Sequence, residues 1–421
     1  MAEQKRAQGD ELAALAHVIA AQTLEAYASG SPAASARELC NVATGYFMKG
    51  DHDAAARWYR LVLQIDPNLA VAHQNLAAIH SAAGRTAEAQ SCRERAYRIQ
   101  RVFIEGEEGA ARRVLILCEG RASGNVPFRT LLPSGSCCRI MYAIDFATDE
   151  EDQQLPSFDL VFNAIGEPDI AAPLAGRLHR FAARCRRPLL NSPAAVARTQ
   201  RHRLADLLGD LDDVVVAQCI RCESPPASLA ALAQCLAGGG LILPVLARPA
   251  ASHGGEGLVR CETIEALAER LRLLDGVHYL TAYHDCRGAD GYYRKYRVIF
   301  VDRQPFPYHL AISSQWMVHY FSADMERNPW KIDEECRFLR DPGTALGSPA
   351  MAAIAAIGRR LDLDYGGVDF TLLPDGRVFV FEANATMRVH RERNNGVLAH
   401  KNANVQRIVD AFQRLLGISP Q

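Results

Sequence analysis

The stretch "DFTLLPDGRVFVFEANATM" (residues 369–387) decides how the chain is read. Its Pro374-Asp375-Gly376 cluster stands between apolar runs, which signals a turn with strands on either side. Along the second strand, Val378, Val380, Glu382 and Asn384 share one face by the period of two, and Phe379, Phe381 and Ala383 share the other. The strand thus begins apolar on both faces and ends with a carboxylate and an amide. Asp369 opens the partner strand, and folding over the turn brings it within about one residue of standing opposite Glu382. A buried carboxylate costs several kcal/mol unless it is paired or coordinates a cation. Three converging oxygen donors, two of them anionic, suit magnesium, which keeps several waters and binds through one or two carboxylates plus substrate phosphates. The alternative is a solvated hairpin end in which Asp369 and Glu382 face water.

The rest of the chain narrows the choice. Its 421 residues admit several domains, and its 49% hydrophobic and 23% charged composition is that of globular protein. A net charge of -1, from 47 basic and 48 acidic residues, provides no global field for nucleic acid or an anionic membrane. No apolar window reaches the length of a membrane span, and the N-terminal stretch lacks a secretory pattern, so a cytoplasmic chain is expected. Twelve cysteines are scattered, and only Cys219 and Cys222 have a Cys-x-x-Cys spacing, without a second pair. Reduced structural thiols are expected rather than a zinc site.

Residues 36 to 100 repeat with a period of 34, as in the pairs Gly50 and Gly84, Ala55 and Ala89, Val42 and Leu76, and Ile65 and Ile99. This period, with small residues where helices approach, resembles tetratricopeptide (TPR) repeats. Glu11 to Ser29 can serve as a degenerate third unit. Such a domain either binds a peptide or protein partner in its groove or is a structural or dimerisation appendage. After a polar linker, Glu105 to Arg113, apolar strands at Arg113 to Cys118 and Phe158 to Gly166 and a helix at Pro173 to Cys185 indicate a small α/β unit with a parallel sheet. No G-x-G-x-x-G follows the first strand, which disfavours a nicotinamide-binding domain. From about Asn191 onward, helix and hairpin signals intermix as in an α+β, largely antiparallel region.

"RPAASHGGEGL" (residues 248–258) joins two strands. Its glycines Gly254, Gly255 and Gly257 let backbone N–H groups approach an anion, and Arg248 adds a cation. No Walker motif exists in the chain. A glycine loop together with the Asp-Glu-Asn trio points to a triphosphate held between two β layers.

From about Arg112 to the C-terminus the chain resembles the ATP-grasp superfamily of carboxylate-amine ligases. "NSPAAVARTQRHRL", "LPVLARPAASHGGEGL" and above all "GGVDF" followed by "FEAN" carry the likeness, with Asp369 and Glu382 13 positions apart. The resemblance implies an α+β ATP-grasp fold over 196–421, a small α/β pre-ATP-grasp domain over 112–195 and an all-α TPR-like helical domain over 1–105. It implies ATP and Mg2+ as cofactors, with Asp369, Glu382 and Asn384 as metal ligands. Arg203 and Arg248 fall where two phosphate-contacting lysines are usual, and a fork is not a point charge. Ser252, His253, Gly254 and Gly255 fall in the phosphate loop. Thr281, Ala282 and Tyr283 fall in the adenine-binding strand, with Asp285 at the ribose. Arg297 and Arg388 are the candidates for gripping an acyl phosphate or substrate carboxylate; Lys295, His309 and His390 rank behind them. "SSQWMVHYF" (residues 313–321) is a candidate pocket wall. Gly367 stands where D-alanine ligases carry an arginine, and "ATMRVHRERNN" replaces their Ser-Pro-Gly stretch, so the acceptor is not expected to be D-alanine.

The implied activity joins a carboxylate to an amine through an acyl phosphate, with release of ADP. Its partners would be an amino acid or peptide-like acid, an amine co-substrate and a protein at the repeats, in a chain that resembles homodimeric relatives. Two other readings stay open: an ATP-binding TPR scaffold, and a kinase-like phosphotransferase that stops at a phosphorylated product.

Overall fold

The computed structural model describes residues 14, 15, 17–22, 32–106, 109, 110, 112–121, 126, 128–133, 135–252, 254–273 and 276–418, the side chains of 32–35 excepted. His253 and most of the expected helical stretch Glu11 to Ser29 lie outside the described residues. The chain divides into two compact units. One comprises Met1–Phe103, Glu119–Ser123 and Met141–Leu155; the other comprises Ile104–Cys118, Gly124–Ile140 and Pro156–Gln421.

In the first unit the 34-residue period surfaces as helices α1 (Pro32–Met48), α2 (His52–Ile65), α3 (Ala70–Ala82) and α4 (Thr86–Ile99). Gly50 and Gly84, with φ of +80° and +72°, make the turns before α2 and α4, a conformation that disfavours any side chain. Asp51 then caps α2 by accepting from Ala54 N at 3.0 Å. Ala55, Tyr59 and Val62 repeat on one helical face and are fully buried. The Tyr59 hydroxyl accepts from Asn75 Nδ2 at 2.7 Å and shares a 2.9 Å hydrogen bond with Thr44 Oγ1, which ties α1, α2 and α3 together. The Tyr97 ring on α4 lies 5.9 Å from Phe103 and 5.7 Å from Phe146, so Met141–Leu155 folds with the helices.

The second unit opens with strand β1 (Arg113–Cys118), which pairs in parallel with β2 (Leu160–Asn163). Helix α5 (Ala175–Arg184) follows, and β3 (Leu189–Leu190) pairs in parallel with β2. Further along the chain come β4 (Val214–Val216), β5 (Cys219–Cys222), α6 (Leu229–Gly238), β6 (Val245–Pro249), β7 (Val259–Cys261), α7 (Ile264–Arg272) and β8 (His278–Ala282). The chain continues through β9 (Tyr293–Val301), β10 (Gln304–Ser313), α8 (Pro329–Arg340), α9 (Ser348–Leu361), β11 (Tyr365–Leu372), β12 (Val378–Asn384) and α10 (Asn402–Leu415).

Two sheets matter for function. A four-stranded antiparallel sheet has the order β5-β8-β6-β7. Leu232 and Leu236 of α6 and Leu267 and Leu271 of α7 bury against its Val245, Ala247 and Leu280. A five-stranded sheet has the order β10-β9-β11-β12-β4, antiparallel except for the edge strand β4, which runs parallel to β12. One face meets α8 through Tyr296 and Phe338, ring centroids 5.0 Å apart; on the other, the face of Asp369, Tyr365 meets Phe412 of α10 at 5.7 Å. The β11–β12 hairpin turns where expected. Leu373 O accepts from Gly376 N, Leu373 N donates to Arg377 O, each at 2.9 Å, and Gly376 takes φ +88° after the pre-set proline.

The expected boundary between 195 and 196 falls inside the second unit. Asn191, fully buried, is the stitch. Its Nδ2 donates to Tyr365 O at 2.9 Å, its Oδ1 accepts from Tyr365 N at 2.8 Å, and its backbone N donates to Asp364 Oδ2 at 2.6 Å.

Candidate active site

The strict alternation expected along β12 breaks one residue before Glu382. Phe370 stands opposite Val380 but Asp369 stands opposite Glu382, so Phe381 is the extra residue of a β-bulge, and its side chain is 41% exposed. The one-residue offset that turn counting leaves between Asp369 and Glu382 is absorbed there. A bulge re-aims the side chains beside it. A second register shift, beside Arg297, leaves Tyr308 as the extra residue on β10. Between the two irregularities runs one row across four strands, His309, Arg297, Asp369 and Glu382, each directly opposite the next. Directly opposed residues project from the same face, so the row aligns one guanidinium and two carboxylates across the sheet beside a buried His309, whose imidazole burial and Arg297 keep neutral.

Asp369 is 1% exposed and receives a forked Arg297, with Nε donating to Oδ1 at 2.5 Å and Nη2 to Oδ2 at 2.7 Å. Lys295 Nζ lies 3.4 Å from the same carboxylate. Glu382 Oε2 accepts from Arg201 Nη2 at 2.6 Å, with Arg248 Nη1 4.0 Å away. Burial pushes both carboxyls upward, but the neighbouring cations outweigh it. Arg297 and Lys295 hold Asp369 well below the usual carboxylate range, and Arg201 and Arg248 do the same for Glu382 against the repulsion of Asp369. Both acids are ionised at neutral pH. Burial, then repulsion from Arg201, brings the Arg248 guanidinium down to about 10, so it too stays charged.

These six groups line a cavity of about 230 Å³ between the two sheets. Four of the lining cations face the two carboxylates, and a fifth, Arg294, is turned to Asp290 and Glu334, so positive charge outweighs negative on the walls and favours anions. Gly254 and Gly255, at φ +61° and +78°, bring their backbone to the cavity edge. Thr281, Ala282 and Tyr283 line it from β8 and the residue after it, and Trp316, Met317, Val318 and His319 from the segment after β10. Arg260 lies 4.0 Å over the Tyr283 ring and Trp316 meets that ring edge-on at 5.8 Å, which fixes this wall. Glu167 is buried near the row; burial, reinforced by Asp169 and Glu382 and opposed by Arg201, pushes its carboxyl up to about 7.

Several expected residues are placed elsewhere. Arg203 is exposed and does not line the cavity, whereas Arg201 does. The two belong to a 3₁₀ turn, where positions two apart point about 240° apart, so only one can face inward. Arg388 is also exposed, because Ala385, Met387 and Val389 alternate inward and leave Arg388 and His390 outside. Asn384 is buried off the cavity, where its Oδ1 accepts from Thr386 N and Oγ1 at 2.9 Å each and closes a turn. Asp285 is exposed, and its Oδ1 accepts from Arg287 N at 3.2 Å. Ser252 braces Arg248, accepting from its Nε at 3.2 Å, rather than lining the cavity.

Of the three expected metal ligands, Asp369 and Glu382 could hold a divalent cation. Two opposed hard-oxygen carboxylates suffice where phosphate and water complete the shell. Among the described residues no group of three or more His, Cys, Asp or Glu could hold a metal ion. Cys219 and Cys222 are free and buried in β5, and burial pushes the Cys222 thiol up to about 12. Arg201 and His319 escaped sequence reasoning. Arg201 sits two positions from the residue aligned to a phosphate lysine, and His319 lies inside the stretch expected to wall the pocket.

No protein-family model matches the chain, and no curated protein matches it. Among solved structures, it is similar to a RimK domain protein ATP-grasp from Sphaerobacter thermophilus, at 17% identity over 71% of this chain and 98% of that one, with a TM-score of 0.43. It is similar to the VanG D-Ala:D-Ser ligase from Enterococcus faecalis at 12% identity over 72% and 99%, with a TM-score of 0.41. A third similar structure is the ATP-grasp ligase PsnB complexed with minimal precursor, Mg and ADP, at 13% identity over 72% and 98%, with a TM-score of 0.38.

Proposed function

We propose that the chain is an ATP-dependent carboxylate-amine ligase of the ATP-grasp kind, releasing ADP, with an amino acid or peptide-like acid as substrate. One observation carries the reading. Two ionised carboxylates stand opposite each other at the end of a buried hairpin, in a cavity whose cations outnumber them and whose rim is a glycine loop. Nothing about folding requires that many buried charges at one point, since buried ion pairs are weak stabilisers. A polyphosphate with a divalent cation would use both signs.

In this reading Arg201, Arg248 and Lys295 hold the phosphates. Asp369 and Glu382 would hold magnesium, which supplies charge neutralisation of the phosphoryl oxygens when bound. Arg297, now engaged by Asp369, is the group placed to steady a carboxylate or acyl phosphate. The protein's share is positioning and charge, since phosphoryl transfer asks little covalent work of side chains. The helical unit recruits the peptide or protein on which the acid or amine resides.

Calorimetric titration with magnesium and a non-hydrolysable ATP analogue tests the site. The unaltered protein should bind with heat that depends on magnesium, and an Asp369→Asn, Glu382→Gln variant should lose at least about tenfold in affinity. Absence of binding to the unaltered protein overturns the proposal. A second reading, a non-catalytic scaffold, is favoured by the pairing of each carboxylate with an arginine already, which is electrostatically complete without a metal. It predicts no substrate-dependent ADP release in a screen of acids and amines. A new amide among the products separates a ligase from a kinase-like enzyme, which would accumulate a phosphorylated acid.

A further inference from the structure

His319 is the one cavity-lining imidazole whose Nε2 is buried and has no hydrogen-bond partner among the described residues. A buried polar nitrogen left unpaired costs about 1–3 kcal/mol, so its presence on a cavity wall asks for an explanation. The glycine loop comes down on this ring. A Cβ at Gly255 would lie 2.3 Å from His319 Nε2 and 2.6 Å from Cε1, and Gly255 is at φ +78°, so only glycine allows the approach. Burial first, then the positive charge of Lys295, lowers the affinity of the imidazole for a proton and leaves it neutral. It therefore adds a hydrogen bond to the cavity without adding charge.

The wall segment also has a direction. Trp316 stands at the end that meets Tyr283 and the β8 strand, while His319 stands at the end whose electrostatic neighbours are Lys295, Glu382, Asp369 and Arg248. A nucleotide lying along this wall with its base toward Tyr283 would have its last phosphate at His319. Resting on the nucleotide reading above, we propose that His319, as its Nε2–H tautomer, donates a hydrogen bond to the terminal phosphoryl group of a bound nucleoside triphosphate and so distinguishes triphosphate from diphosphate.

The test uses the full chain, with AMPPNP and ADP, each with magnesium, as calorimetric probes. His319→Ala should weaken AMPPNP binding about tenfold while changing ADP binding less than about twofold, the loss expected for one hydrogen bond to a charged group. His319→Gln, whose amide also presents a donor, should recover most of the AMPPNP affinity. If the alanine variant fails to fold, the unaltered protein labelled with 15N-histidine decides the matter: the His319 Nε2 resonance should shift with AMPPNP and stay with ADP. Equal losses for both nucleotides would make His319 a packing partner of Gly255 and overturn the proposal, as would no loss or an unmoved resonance. Failure of the unaltered protein to bind either nucleotide would overturn the nucleotide reading itself and His319's role with it.

Discussion

Asp369 shows what one residue costs and supplies in this protein. It is buried, ionised and held by Arg297 and Lys295, so removing Arg297 takes away both forked hydrogen bonds and leaves a buried charge with only the lysine 3.4 Å away. Arg297→Ala is expected to destabilise by about 3–5 kcal/mol in a urea melt, as breaking a buried pair does. Because Asp369 and Glu382 titrate below their ordinary range in the folded state, their stabilising contribution is present above that range and is lost as pH falls toward 2. Stability should therefore drop between about pH 4 and pH 2, and the drop should be shallower in Asp369→Asn. A slope unchanged in that variant would contradict the pairing. The two arginines of the 3₁₀ turn make a sharper contrast. Arg201→Ala should weaken nucleotide binding by about tenfold or more, whereas Arg203→Ala, on the exposed side, should leave it within about twofold. Calorimetry on the two variants side by side reads the difference.

At the scale of elements, two glycines separate function from stability. Gly255→Ala places a Cβ against His319 and strains a positive φ, so the loop cannot settle over the cavity. The expected outcome is weaker nucleotide binding with a small change in melting temperature. Gly358→Ala on α9 meets Arg303 O at 2.6 Å and the Phe300 ring at 2.7 Å, which pushes the helix off the sheet. It should cost about 1–3 kcal/mol by overpacking and leave the nucleotide affinity of the folded protein unchanged. Thermal melts and titrations on both variants would show these opposite signatures; a Gly358→Ala variant with full stability would contradict the packing described.

The whole molecule divides in an order that the chain does not follow. Met141–Leu155 belongs with the helices, and Phe146 rests on Tyr97 and accepts from Arg101 Nε at 3.3 Å. A chain shortened to begin at Ile104 should melt lower than the full chain, because it strips Tyr97 and Arg101 from Phe146. An unchanged melting temperature would show that the segment stands without the helices. No helix among the described residues is long and apolar enough to cross a membrane. What the sequence determined by itself is what neighbours along the chain decide: the 34-residue helical period, the Pro374-Asp375-Gly376 turn, the glycine loop and a carboxylate at the end of a buried strand. These follow from steric and periodic rules that act over a few residues. Only the tertiary structure decided that Phe381 bulges, that Asn384 turns aside, that Arg201 rather than Arg203 reaches Glu382 across 181 positions, and that His319 meets Gly255. Those choices depend on which strands come together and on which charges burial forces to pair, and no local pattern carries that information.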